Sequence, residues 1–187
     1  MIKKRISISI GQYHASRSPV IIQTLLGSCV AVCLFDSKTR IGGMNHIFLP
    51  GKADLNCFNQ PARYGINAME LLINAILELG ADRRRLSAKV FGGGHLLPSI
   101  PPERGTGGKI AAFVISFLEK EHIPIISQDT GGTVGRKIFF HTNTGEVFLK
   151  RIAPMKNSLI VPGESEAFKR LTKEARKPGE VTLFGPN

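Results

Sequence analysis

The chain has 187 residues, 42% of them hydrophobic and 21% charged, which are values of a globular protein with room for one domain and a real core. Its 25 basic residues outnumber 14 acidic ones for a net charge of +11, which favours an acidic partner. Aromatics are 7% and tryptophan is absent, so no base-stacking platform is visible, and an acidic protein surface is expected in place of nucleic acid.

No apolar run approaches the ~18 residues of a spanning helix, so no membrane insertion is expected. The basic start Met1–Arg5 leads into the alternating Ile6–Ile10, with no apolar core or small-residue cleavage site of an export signal. Three cysteines, an odd number, argue against a disulfide framework, and free thiols in the cytoplasm are expected.

Strand patterns run over residues 6–10, 19–26, 29–36 and 40–48. Pro50-Gly51 breaks the pattern, and 51–60 reads as a polar loop holding Cys57, with no role expected for that thiol. Pro61 to Leu79 reads as a helix with Ile66, Met69, Ile73, Ile76 and Leu77 on one face, stopped by Gly80. Ala88 to Phe91 is a short strand running into Gly92-Gly93-Gly94-His95. Residues 97–107 read as a loop. Lys109 to Glu121 reads as a second helix, with Ile110, Phe113, Val114, Phe117 and Leu118 inward. Ile123 to Ser127 is a strand, and Val134 to His141 with Glu146 to Ile152 form a hairpin around Asn143-Thr144-Gly145. The expected division is a domain over 1–162 and a polar C-terminal helix or tail over 163–187. The order of elements suggests an α+β layered domain.

Cys29 lies between Gly27-Ser28 and the apolar run from Val30 to Phe35. A nucleophilic cysteine needs a neighbour that holds it as thiolate, and histidine is the usual one. His46 follows 17 residues later, a spacing that lets two neighbouring strands bring the side chains together. Backbone N–H groups at the Gly27-Ser28 turn would suit an oxyanion hole. The bland reading is that a cysteine beside an apolar strand is a small buried hydrophobe. That reading is preferred for Cys33, which lies mid-strand. Cys29, Cys33 and His46 make a poor zinc set, with no Cys-x-x-Cys pair and no fourth ligand. Gly105-Thr106-Gly107-Gly108-Lys109 is not a P-loop, because Glu103 and Ile110 stand at required positions. It and Gly92-Gly93-Gly94 are expected to be turns or close backbone approaches. His95, His122 and His141 are expected to be structural or at the surface.

Several blocks together resemble the CheD family, the chemoreceptor glutamine deamidases of bacterial chemotaxis. They are Leu26-Gly27-Ser28-Cys29-Val30-Ala31-Val32, Gly43-Met44-Asn45-His46 before Leu49-Pro50, and Asp129-Thr130-Gly131-Gly132. Arg136, the Asn143-Thr144-Gly145 turn before Lys150-Arg151, and Gly11-Gln12-Tyr13 also fit. The resemblance covers about residues 6–152. It implies an α/β/β sandwich similar to the catalytic domains of deamidating bacterial toxins, and a cysteine–histidine mechanism on Cys29 and His46. The family's third catalytic residue is a threonine six places before the cysteine, where this chain has Gln23, with Thr24 one place later. Either a local shift lets Thr24 serve as the third residue, or Gln23 fills the role through its side-chain amide; ungapped spacing to the cysteine leans toward Gln23 facing the site and Thr24 facing away.

The reading is a protein-glutamine deamidase that converts chemoreceptor glutamine side chains to glutamate through a cysteine thioester, with no metal or cofactor. Its expected partners are the cytoplasmic helices of methyl-accepting chemoreceptors. Some family members pair with CheC, a phosphatase of the response regulator. The alternative is an adaptor with little or no catalysis that docks on receptors or on a CheC-like phosphatase; Gln23 in place of threonine is the feature that motivates it.

Overall fold

Along residues 20–26, Val20, Ile22, Thr24 and Leu26 alternate with Ile21, Gln23 and Leu25. In the computed structural model, which describes residues 4–48, 65–96 and 105–152, the first set is buried and the second half-buried or exposed. This segment is β3 (Val20–Leu26). Around it lie β1 (Lys4–Ser7), β2 (Tyr13–Ser16), β4 (Val30–Asp36), β5 (Ile41–Asn45), α1 (Gly65–Glu78), β6 (Leu86–Gly92), α2 (Thr106–Lys120), β7 (Ile125–Thr130), β8 (Gly135–His141) and β9 (Val147–Ile152).

The strands form two sheets, one in the order β1-β3-β8-β9 and one in the order β2-β5-β4-β6-β7. Strand β4 explains the layering. Its residues are apolar almost without break because both faces are covered. Val30, Val32 and Leu34 pack with Leu72, Ile76, Val114 and Leu118 of the two helices. Ala31 and Cys33 pack with Ile22, Leu26, Ile138 and Phe140 of the four-stranded sheet. The layers are therefore helices, five-stranded sheet, four-stranded sheet, a mixed α and β architecture as expected from the order of elements.

Several expectations shift. The first strand begins earlier and ends at Ser7, pairing in parallel with β3. Strand β2 was not expected, because four residues with no strong apolar alternation give little signal; it pairs antiparallel with β5 at the sheet edge. In α1, Ala68 and Leu72 join Met69, Ile73 and Ile76 as buried residues, while Ile66 and Leu77 are half-buried. Gly80 ends that helix with φ +102, a left-handed conformation open to glycine. Helix α2 begins at Thr106, earlier than expected, inside the segment read as loop. Strand β6 is longer than expected, and β7 starts and ends later. The β8–β9 hairpin forms as expected. Cys57, the 51–60 loop, the start of the first helix at Pro61, and the tail over 163–187 lie outside the described residues.

Candidate active site

The chain leaves the four-stranded sheet at Leu26 and enters the five-stranded sheet at Val30, so Gly27, Ser28 and Cys29 form the crossing between layers. Backbone holds this crossing in place. The Gly93 N–H donates to the Cys29 carbonyl at 2.7 Å, and the Gly94 N–H donates to the Gly27 carbonyl at 2.9 Å. Gly92 has φ +108, and a Cβ there would stand 2.1 Å from the Cys29 carbonyl oxygen, so only glycine fits. On the other side, a Cβ on Gly107 of α2 would stand 2.7 Å from the Gly93 carbonyl. Both glycine runs are thus close backbone approaches. Cys29 is fully buried and is not in a disulfide. Cys33 is buried mid-strand, and burial pushes its thiol pKa far up, which keeps it neutral.

His46 follows the end of β5. Cys33 pairs with Met44, and the same antiparallel register continues to a bridge between Val30 and Ile47. That register sets His46 opposite Ala31, on the face that Cys29 and Ala31 share, one diagonal step from Cys29. His46 is 4% exposed. Its backbone is pinned on both sides, with its N–H donating to the Gln12 carbonyl at 3.0 Å and its carbonyl accepting from the Gly11 N–H at 2.9 Å.

The ring is oriented by Thr24. Thr24 Oγ1 lies 2.8 Å from His46 Nδ1 and 2.8 Å from the Ile8 carbonyl oxygen. A hydroxyl has one proton. The Ile8 carbonyl can only accept it, so the Thr24 hydroxyl donates there and accepts from His46 Nδ1–H. The neutral ring then carries its lone pair on Nε2, which is buried with no hydrogen-bond partner among the described residues. Burial lowers the His46 pKa to about 4, so the ring is neutral at pH 7.

Of the two open candidates, Thr24 and not the favoured Gln23 lies against His46. Gln23 faces outward, and its Nε2 donates to Ser7 Oγ at 2.7 Å. Counting six places back from Cys29 crosses the Gly27–Ser28 turn, where the chain changes sheets and strand alternation is not kept. Within β3 itself, Thr24 shares a face with Ile22 and Leu26, and both are buried. The apolar alternation was the signal that could have assigned it.

Sequence reading gave no role to Ile8 and Gln12, whose carbonyls hold Thr24 and His46. It also gave none to the Asp129-Thr130-Gly131-Gly132 block beyond resemblance. Arg136 is 3% exposed. Its Nε donates to Asp129 Oδ1 at 2.6 Å, Nη2 to the Gly131 carbonyl at 2.6 Å and Nη1 to the Val134 carbonyl at 3.2 Å. The Gly131 N–H donates to the Gly92 carbonyl at 2.9 Å, and the His95 N–H to the Gly132 carbonyl at 2.7 Å. The block therefore braces the Gly92–Gly94 segment that supports Cys29. Among the described residues, no three His, Cys, Asp or Glu side chains group as metal ligands, and no helix is long and apolar enough to cross a membrane.

Comparison with known proteins places the chain in a family. Residues 48–151 match the family described as CheD chemotactic sensory transduction. A probable chemoreceptor glutamine deamidase CheD 1 of Shewanella oneidensis is 44% identical over 185 residues, 98% of this chain and 89% of the relative. A probable chemoreceptor glutamine deamidase CheD of Methylobacillus flagellatus is 41% identical over 177 residues, 93% of this chain and 86% of the relative. A relative of the same name in Stenotrophomonas maltophilia is 44% identical over 174 residues, 92% of this chain and 85% of the relative. With matches of this extent along nearly its whole length, the chain belongs to the CheD family of chemotactic sensory transduction.

Proposed function

We propose that this chain is a protein-glutamine deamidase acting on chemoreceptors, with Cys29 as nucleophile and His46 as its base. The relatives named above supply the substrate class, and the observation that carries the chemistry is the Thr24–His46 hydrogen bond at 2.8 Å. It leaves Nε2 as the basic atom of a neutral ring on the face that Cys29 shares. His46 is then a general base that takes the thiol proton as attack begins, in place of an imidazolium that holds a resting thiolate.

In this reading the Cys29 sulfur bonds to the side-chain amide carbon of a receptor glutamine, and the thiol proton moves to His46. The imidazolium returns that proton to the departing nitrogen, which leaves as ammonia, and a thioester remains. Water then attacks the thioester carbon while His46 takes its proton. The carbon–sulfur bond breaks, the thiol is restored and glutamate is released. Side chains and water account for every proton. Gly27 and Ser28 form the turn that brings the backbone beside the developing oxyanion. Thr24 is the third member, through the Nδ1 proton of His46.

The layer order suits the likeness to deamidating-toxin domains implied by the motifs. The cytoplasm, where receptor signalling helices lie, is the proposed location. A CheC-like phosphatase stays an expectation of the family alone. The adaptor reading rested on Gln23 standing in place of threonine, and with Thr24 against His46 it loses that motive. The test is incubation with a receptor cytoplasmic fragment, followed by mass spectrometry for glutamine-to-glutamate conversion. Conversion that requires Cys29 supports the reading, and none with any receptor fragment defeats it.

A further inference from the structure

The four-stranded sheet has one face in the core and one face outward. Both described helices pack on the other sheet, so none of them covers this outward face. The strand register lays out what it presents. Phe139 pairs with Phe148, and in the next row Leu25 pairs with Lys137 and Lys137 with Lys150. Phe148 is 55% exposed and Leu25 is 36% exposed. The Lys137 Nζ sits 5.3 Å from the Phe139 ring centroid. Arg5 extends the cationic surface on β1, where it pairs with Ile21.

Directly opposed like charges destabilise a sheet. Among the described residues five arginines are ion-paired and no lysine is. Arg83 pairs with Glu121, Arg84 with Asp82, and Arg85 with both Asp36 and Asp82. The register neighbours Arg136 and Arg151 share Asp129. Lys137 and Lys150 have no ion pair among the described residues. No outward position of these four strands carries a carboxylate, and Glu146 in the adjoining turn accepts a hydrogen bond from the Thr144 hydroxyl. A row of lysines without ion pairs, beside the exposed Phe148 and the half-buried Phe139, is a surface that lacks its counter-charge.

We propose that this outward face docks an acidic amphipathic segment of the receptor substrate. Carboxylates of that segment meet Lys137, Lys150 and Arg5, and its apolar stripe covers Phe139, Phe148 and Leu25. This rests on the reading that a chemoreceptor is the substrate. Position favours it: the Leu25–Lys137–Lys150 row lies at the end of β3 that leads through Gly27 to Cys29, so a segment held there brings its flanking glutamines to the site end of the sheet.

The test joins Lys137→Glu with Lys150→Glu and measures deamidation of a receptor cytoplasmic fragment. The expected result is a KM raised roughly tenfold or more with kcat within about twofold, because only substrate capture is altered. Direct binding of the same labelled fragment to the full chain carrying Cys29→Ala should weaken by a similar factor when the two lysine changes are added, and Phe148→Ser should weaken it too. An unchanged KM and unchanged binding in the lysine variant overturn the docking face while leaving the deamidase reading intact. A wild-type chain that converts no receptor glutamine defeats the deamidase reading, and fragment binding lost with the lysines would still support the face. Tighter binding of a poly-uridine strand than of the fragment, lost with the same lysines, reassigns the face to nucleic acid and overturns the proposal.

Discussion

Thr24 has one proton and two neighbours that compete for it, and that competition sets the tautomer of His46. Thr24→Ala removes the orienting acceptor and leaves the Ile8 carbonyl without its buried donor. The expected cost is about 1–3 kcal/mol of stability, with a large fall in kcat. Thr24→Ser keeps the hydroxyl and should recover most of the activity, whereas Gln23→Ala, on the outward face, should leave kcat nearly unchanged. Steady-state kinetics with urea unfolding of the three variants checks this, and a damaging Gln23→Ala would return the third role to that residue. His46 also makes stability depend on pH. Its folded pKa of about 4 lies below the ordinary value of ~6.5, so between those values the unfolded chain binds a proton that the folded chain refuses. This contribution is complete above pH ~6.5 and is lost as pH falls toward 4, roughly 3 kcal/mol in all. Urea unfolding at a series of pH values should show that slope in the wild type and its absence in His46→Ala. The two buried thiols separate cleanly. Cys29→Ala should abolish deamidation, while Cys33→Ala should lower stability by about 1–2 kcal/mol, from the small cavity it leaves, and retain turnover. Full activity in Cys29→Ala would remove the nucleophile assignment.

At the level of elements, the site is a junction. The turn after β3, the end of β5, the glycine run after β6 and the loop after β7 meet there, and backbone contact dominates because glycines allow it. Asp129→Ala tests the brace. It strips the buried Arg136 guanidinium of its carboxylate, and an unpaired buried charge costs about 3 kcal/mol or more. Thermal unfolding should report that loss, and kcat should fall with it as the Gly92–Gly94 support loosens. Wild-type stability in this variant would show that the loop is held by its other bonds. At the opposite end of β4 from Cys29, Asp36 is fully buried. Burial alone would raise its carboxyl, yet the Arg85 guanidinium and the Asp82 and Lys38 N–H groups hold it well below the usual carboxylate range. Part of the basic run Arg83-Arg84-Arg85 is thus structural.

For the molecule as a whole, the net charge of +11 predicts an association rate with an acidic receptor fragment that falls as salt rises and the Debye length shortens toward ~8 Å. Stopped-flow mixing across ionic strengths reads this directly, and a salt-independent rate would remove the electrostatic account. The sequence by itself determined much of the layered α and β order, because period-two and period-3.6 apolar patterns arise from burial that each element needs wherever it packs. It also singled out Cys29 and His46 as candidates, through residue type and spacing along neighbouring strands. Only the tertiary structure showed the Thr24 hydroxyl against His46 and the Gln23 amide turned to Ser7, because those contacts join segments far apart in the chain. It alone joined the Asp129 block to the glycine run beneath Cys29. It alone set Lys137 against Lys150 without a carboxylate, since register between strands depends on pairing partners far apart in the chain.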